Sequence, residues 1–121
     1  MEVRGKLLQP QEVEAYFVIP ALRRELAVAL KDQGLKLTEI SKRLGVTPAA
    51  VSQYCHAKRA DLDLGELMRT YIRTAATRVK DPLSSMTVIQ QLLKLALREK
   101  VMCRVHEKVG TLPKGCAICF N

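Results

Sequence analysis

The chain lacks several features on which common functional classes depend. Its 121 residues include only two histidines and no glycine-rich segment of the kind that cradles a phosphate. Its most apolar stretch, residues 88–97, is interrupted by Gln90, Gln91 and Lys94 and falls short of the roughly twenty apolar residues of a membrane span. The first ten residues, MEVRGKLLQP, contain no apolar segment of a secretory signal. We therefore expect a cytoplasmic protein that is not an enzyme.

No stretch alternates apolar and polar residues with a period of two, so we expect no sheet and an all-α fold. Proline and capping residues mark the predicted helix boundaries: Pro10, Pro20, Thr38, Thr47-Pro48, Asp81-Pro82 and Ser84 or Ser85. The predicted helices cover residues 11–18, 20–33, 38–44, 48–57, 64–80 and 86–103. In the fifth of these, the spacing predicts a buried side made of Leu64, Leu67, Met68, Tyr71, Ile72, Ala75 and Val79.

Charge favours a polyanionic partner. Twenty lysines and arginines against twelve acidic residues give a formal charge of +8 and an isoelectric point near 9.6. Such a balance is typical of proteins that bind nucleic acid or an anionic membrane surface.

The two short helices at 38–44 and 48–57 have the spacing of a helix-turn-helix. Their predicted shared core is Ile40, Leu44, Val46, Val51 and Tyr54. Ser41 is small where the helices approach each other, and Gly45 stands where a positive φ angle is needed. A helical hairpin that serves only as scaffold or protein contact is the alternative.

The segment LTEISKRLGVTPAAVSQYCHAKRA resembles the Cro/repressor-like (XRE-type) helix-turn-helix of transcriptional regulators. The upstream IPALRRELAVAL is similar to a group of predicted prokaryotic, largely archaeal regulators, and the resemblance is best over residues 18–60. Cys55 stands where that family usually has leucine, and Ala57 where it usually has glycine. The resemblance implies that the second short helix is a recognition helix for double-stranded operator DNA.

The resemblance implies two sets of DNA contacts. Six residues would face the major groove: Thr47, Pro48, Ala49, Ser52, Gln53 and His56. Among them, Gln53 can pair with adenine through two hydrogen bonds, and Ala49 and the Thr47 methyl can meet thymine methyl groups. The flanking cations would bind phosphates and supply affinity without sequence information: Lys42, Arg43, Lys58 and Arg59.

The C-terminus carries a second pattern, C-x2-H-x9-C-x2-C, formed by Cys103, His106, Cys116 and Cys119. Two close ligand pairs separated by a loop are what a tetrahedral metal centre needs, so we expect a Cys3His site. Zinc and an iron-sulfur cluster both remain open as occupants. The alternatives are unligated thiols or a redox pair at Cys116 and Cys119.

The sequence therefore predicts three regions: a DNA-binding domain at 1–62, a helical support or dimerisation region at 63–102 and a metal-binding tail at 103–121. The last predicted helix is apolar around most of its circumference, so either a second protomer or residues 64–80 must cover it. We expect a homodimeric regulator that represses by excluding polymerase and that responds to metal or redox state. An antitoxin-like DNA binder that captures a protein partner with its C-terminal half is the alternative.

Overall fold

Helices follow one another through the computed structural model, which describes residues 7–56 and 62–109. They are α1 Pro10–Val13, α2 Ile19–Asp32, α3 Leu37–Leu44, α4 Pro48–Cys55, α5 Glu66–Ala76, α6 Pro82–Arg98 and α7 Val101–Val109. These two ranges contain no strand, which confirms the predicted all-α class for that part of the chain. Within the same ranges, each helix is too short or too polar to cross a membrane.

α1 and α2 are joined without a break, although the sequence predicted two separate helices. A π-helical segment, Glu14–Val18, connects them, and the Ile19 N–H donates to the Glu14 carbonyl five residues back. Pro20 explains the wider turn, because proline has no N–H to continue the α-helical ladder and its ring crowds the carbonyl four residues earlier. The proline widens the preceding turn instead of starting a new helix.

α2 lies at the centre of the fold, where it packs against α3, α4, α5 and α6. Leu22, Leu26 and Leu30 recur along one side of it and have no exposed surface. Buried side chains from Leu8 to Val105 form one cluster. The division into three regions stays a prediction, and the buried side chains before and after residue 62 belong to the same cluster.

α3 and α5 differ from their predicted limits. α3 begins at Leu37 with Lys36 as its N-cap and no side-chain cap, so the prediction that Thr38 caps it was wrong. α5 ends at Ala76, and the next three residues continue in tighter turns that donate to carbonyls three residues back. Leu67 and Tyr71 are 50% and 44% exposed rather than buried, because the opposite side of α5, with Met68 and Ile72, meets the core.

α6 begins earlier than predicted. The Asp81 carboxylate accepts from the Ser84 N–H at 2.7 Å, and the Ser84 hydroxyl oxygen accepts from the Asp81 N–H at 3.0 Å. This reciprocal capping box places Pro82 in the first position of the helix, where its missing N–H has no consequence. The residues predicted to end one helix therefore also start the next.

The predicted continuous helix to residue 103 is broken. α6 ends at Arg98, and Lys100 adopts a left-handed conformation with φ of 59° before α7 begins. The break redirects the chain so that Val101, Met102 and Val105 are buried. α6 itself packs against α2, α3, α5 and α7. Its apolar surface is thus largely covered within one chain, and dimerisation stays a prediction.

Candidate nucleic-acid interface

The turn between α3 and α4 is closed by hydrogen bonds that a buried serine, Ser41, both accepts and donates. The N–H groups of Gly45 and Val46 both donate to the Ser41 carbonyl, at 3.0 and 3.2 Å. The Ser41 hydroxyl donates in turn to the Val46 carbonyl at 2.5 Å. Gly45 has φ of 67°, and a Cβ placed there would lie 3.2 Å from the Pro82 Cβ on α6. The predicted positive φ angle at Gly45 is confirmed, whereas the hydrogen bonds of Ser41 were not predicted.

α4 is capped as its sequence predicted. The Thr47 side-chain oxygen accepts from the Ala50 N–H at 3.1 Å, and Pro48 occupies the first helical position. A capped first turn holds the start of α4 in one orientation. The Thr47 hydroxyl oxygen is used in this cap, which is compatible with a contact made through its methyl group.

The two sides of α4 differ in burial. Ala50, Val51 and Tyr54 are buried, and α4 packs against α2 and α3. On the other side, all six residues assigned to the groove are exposed or, for Ser52, partly exposed: Thr47, Pro48, Ala49, Ser52, Gln53 and His56. The six residues predicted to face the groove therefore lie on the solvent-facing side of α4, and the other side of α4 packs against α2 and α3.

His56 has a structural role at the C-terminal end of α4. Its backbone N–H donates to the Ser52 carbonyl at 3.1 Å, and its Nδ1 lies 2.7 Å from the same oxygen. Because a carbonyl oxygen only accepts, Nδ1 carries the proton and Nε2 is the nitrogen left for a contact outside the helix. A DNA contact by His56 would be made through Nε2.

The four predicted phosphate ligands are not equivalent. Lys42 is exposed on α3. Arg43 is half-buried, with Nε 3.2 Å from a Glu39 carboxylate oxygen and Nη1 donating to the Val79 carbonyl at 3.3 Å. Lys58 and Arg59 lie outside the residues that the structure describes. The Arg43 guanidinium thus links α3 to the segment after α5. The i to i+4 spacing from Glu39 predicts the ion pair within α3 but not the hydrogen bond to Val79.

Two carboxylates at helix starts have lowered pKa values. The Gly65 N–H and the Arg69 guanidinium hold the pKa of Asp63 below its ordinary value. The backbone N–H of Ser84, followed by its hydroxyl, does the same for the pKa of Asp81. Both acids stabilise the first turns of α5 and α6, the two helices that follow α4 in the chain.

Half of the predicted metal site lies within the described chain. On α7, Cys103 is half-buried and His106 is 7% exposed. His106 Nε2 donates to the Leu8 carbonyl at 2.7 Å, which leaves Nδ1 with the lone pair. Metal-binding histidines commonly donate their second nitrogen to a carbonyl in this way. Cys116 and Cys119 lie outside the described residues, and residues 7–56 and 62–109 hold no group of three or more potential ligands.

Comparison of the chain with family models, curated proteins and solved structures finds no match in any of the three.

Proposed function

We propose that the protein is a sequence-specific DNA-binding transcriptional regulator that reads the major groove with α4. The observation that carries the proposal is the division of α4 into a buried side and a solvent-facing side. The buried side anchors the helix on α2 and α3, and the other side presents small and polar groups suited to base edges. A formal charge of +8 and the exposed Lys42 favour attraction to the phosphate backbone.

The side chains on the solvent-facing side of α4 favour recognition of base sequence over binding to phosphates alone. The amide of Gln53 offers a donor and an acceptor that match adenine, and Ser52 can reach a base or a phosphate. One such helix makes few base contacts, so we propose a twofold dimer whose helices enter successive major grooves about 34 Å apart. A dimer seated on a promoter would act as a repressor because it excludes polymerase.

Selection of bound sequences from a random duplex pool tests the reading role. The wild-type protein is expected to enrich one sequence, and Gln53→Ala is expected to lose preference at one base position by about 1–3 kcal/mol. Gln11→Ala, at an exposed position on α1, is the matched control and keeps the wild-type preference. If no sequence is enriched, or if Gln53→Ala selects the same sequence as Gln11→Ala, the groove assignment is wrong.

Salt titration separates the two cations on α3. Lys42→Ala should weaken binding to all sequences and lower the slope of log affinity against log salt by about one unit. Arg43→Ala should instead lower the free energy of unfolding, by about 1 kcal/mol, because it removes hydrogen bonds to Glu39 and Val79. A salt slope that Lys42→Ala leaves unchanged would remove Lys42 from the phosphate contacts.

We also propose that Cys103, His106, Cys116 and Cys119 hold zinc or an iron-sulfur cluster. The support from the described chain is the His106 ring, whose Nε2 is held by the Leu8 carbonyl while Nδ1 keeps its lone pair. The test is anaerobic purification followed by zinc, iron and sulfide analysis and a visible spectrum. Iron with sulfide and a broad absorbance indicates a cluster, and one zinc per chain without colour indicates a structural centre. If the purified protein contains neither zinc nor iron, the proposed metal site is wrong.

A further inference from the structure

Two large apolar side chains on the solvent-facing side of α5 lie beside a groove. Leu67 and Tyr71 are 50% and 44% exposed, and their i to i+4 spacing places them on one side of the helix. A groove of about 290 Å³ runs between α5 and α6, and its lining includes Tyr71, Thr74 and Leu95. We call Leu67, Thr70, Tyr71 and Thr74, together with this groove, the α5 face.

The α5 face has the shape features of a surface that binds its own copy. An interface between two identical chains related by a twofold axis uses the same surface on both, so that surface must supply both a projection and a depression. Leu67 projects in the first turn of α5, whereas the small side chains of Thr74 and Ala75 line the groove further along the helix. If two α5 helices pack antiparallel, Leu67 of each copy lies against Thr74 of the other.

Charges along one edge of the α5 face also fit an antiparallel pair. Glu66 and Arg73 are seven residues apart, or two helical turns, so they lie on the same side of α5. Both are exposed, and neither forms an ion pair within residues 7–56 and 62–109. A twofold axis near Thr70 would bring Glu66 of each copy to Arg73 of the other. A parallel pair would instead place Glu66 against Glu66, so the charges favour the antiparallel arrangement.

The other edge of the α5 face offers a second pair at the same spacing. Tyr71 and Arg78 are also seven residues apart, and both line the groove. Arg78 Nη2 donates to the Gln91 side chain at 2.9 Å, which holds the guanidinium at the groove. The same antiparallel register would bring this guanidinium to the Tyr71 ring of the other copy, a cation–π contact. One register thus satisfies both edges.

We propose that the α5 face binds a second copy of this chain, with the two α5 helices antiparallel about a twofold axis. α5 has 11 residues and is about 16 Å long, so the interface is small and the dimer weak. α4 and α5 both pack on α2, and none of the residues predicted to face the major groove belongs to the α5 face. The dimer expected to bind two DNA half-sites would form through this face. That link rests on the proposed function, whereas the interface does not.

Sedimentation equilibrium of the full chain tests the interface without DNA. Each copy carries a formal charge of +8, so the experiment is run at about 0.15 M salt to screen the repulsion, and at protein concentrations up to about 1 mM. The wild type should dimerise, and Leu67→Gln should weaken the dimer about tenfold or more. Leu83→Gln, at a leucine of α6 that is 70% exposed, is the matched control and should dimerise as the wild type does.

A wild type that stays monomeric would overturn the interface. A dimer that persists in Leu67→Gln, or that Leu83→Gln weakens to the same extent, would overturn it as well, because the contact would then lie elsewhere.

Exchange of the two charges gives a second readout that a purely structural role would not produce. Glu66→Arg and Arg73→Glu alone should each weaken the dimer about tenfold or more, because each brings like charges together twice across the axis. The double variant should dimerise nearly as the wild type does. Within one helix the exchange is unfavourable, since an acid near the start and a cation near the end of α5 suit the helix dipole. The double variant should therefore melt below the wild type, and failure to recover the dimer in it would overturn the proposed register.

DNA binding then tests the link to the proposed function. Leu67→Gln should weaken binding to a selected duplex that has two half-sites and leave the affinity for a single half-site unchanged. Equal affinity of the wild type and Leu67→Gln for the longer duplex would overturn the role of this dimer in DNA binding. A wild type that dimerises through the α5 face and selects no DNA sequence would contradict the proposed function and still support the interface.

Discussion

The turns at Gly45 and Lys100 are alike in backbone and different in origin. Each follows one helix and precedes the next, and each has a left-handed residue, with φ of 67° and 59°. At Gly45 the residue type suits the conformation, and the Ser41 hydroxyl and carbonyl bind the turn locally. At Lys100 a side chain occupies a conformation that L residues rarely adopt. The first turn is specified by neighbouring residues, and the second depends on distant ones.

The distant contacts that favour the second turn are on α7. Val101, Met102 and Val105 are buried, and His106 donates to the Leu8 carbonyl, 98 residues earlier. These contacts require α7 to leave the direction of α6. Burial of three apolar side chains offsets the roughly 1–2 kcal/mol that a left-handed residue other than glycine costs. The comparison teaches that tertiary packing can break a helix at a residue that carries no local signal.

The largest expected effect is that of Gly45→Ala. The new side chain meets both the left-handed backbone and the Pro82 Cβ, so the free energy of unfolding should fall by about 3 kcal/mol in urea denaturation. Gly34→Ala is the matched control, because Gly34 has φ of 92° and no atom within 4 Å of its Cβ position. An equal decrease in the free energy of unfolding in the two variants would mean that the contact with Pro82 does not contribute to the effect.

Lys100→Gly should have a smaller effect of opposite sign. Glycine adopts the left-handed conformation freely, so the free energy of unfolding should rise by about 1 kcal/mol. Lys94→Gly, an exposed position inside α6, should instead lower it by about 1 kcal/mol through the loss of helix propensity. A loss at both positions in the same urea titrations would contradict the left-handed break at residue 100.

The smallest effect concerns pH at the start of α6, next to the Gly45 turn. The pKa of Asp81 is lowered from its ordinary value of 3.8 by the Ser84 N–H, so its charged form stabilises the folded protein. This stabilisation is present above the unfolded-state pKa and is lost as pH falls through the lower folded-state pKa. The melting temperature of the wild type should therefore exceed that of Asp81→Asn at pH 7, and the difference should shrink as pH falls below 3.8 and vanish below the folded-state pKa.

Asp81→Ala separates the charge from the cap. Asparagine keeps a side-chain acceptor for the Ser84 N–H, whereas alanine does not. Asp81→Ala should therefore melt below Asp81→Asn over the whole pH range. A wild-type advantage that persists unchanged to pH 2.5 would show that the Asp81 charge does not stabilise α6.

Signals within a few residues of one another predicted much of the fold and of the candidate interface. The glycine at 45, the Thr47-Pro48 start and the small Ser41 predicted the turn between α3 and α4 and the start of α4. Helical spacing then placed the residues predicted to face the major groove on the exposed side of α4. The same logic failed for Thr38, because α3 begins without a side-chain cap, and for Leu67 and Tyr71, because the core contacts only one side of α5.

The sequence by itself determined the helical class, the closure of the turn at Gly45 and the outward side of α4, since backbone preference and side-chain periodicity act over a few residues. The tertiary structure alone decided where α7 turns away from α6, that Arg43 reaches the Val79 carbonyl and that His106 reaches the Leu8 carbonyl. These features join residues far apart in the chain. Their energies depend on burial and on distances that exist only after α2, α3, α5 and α6 have packed together.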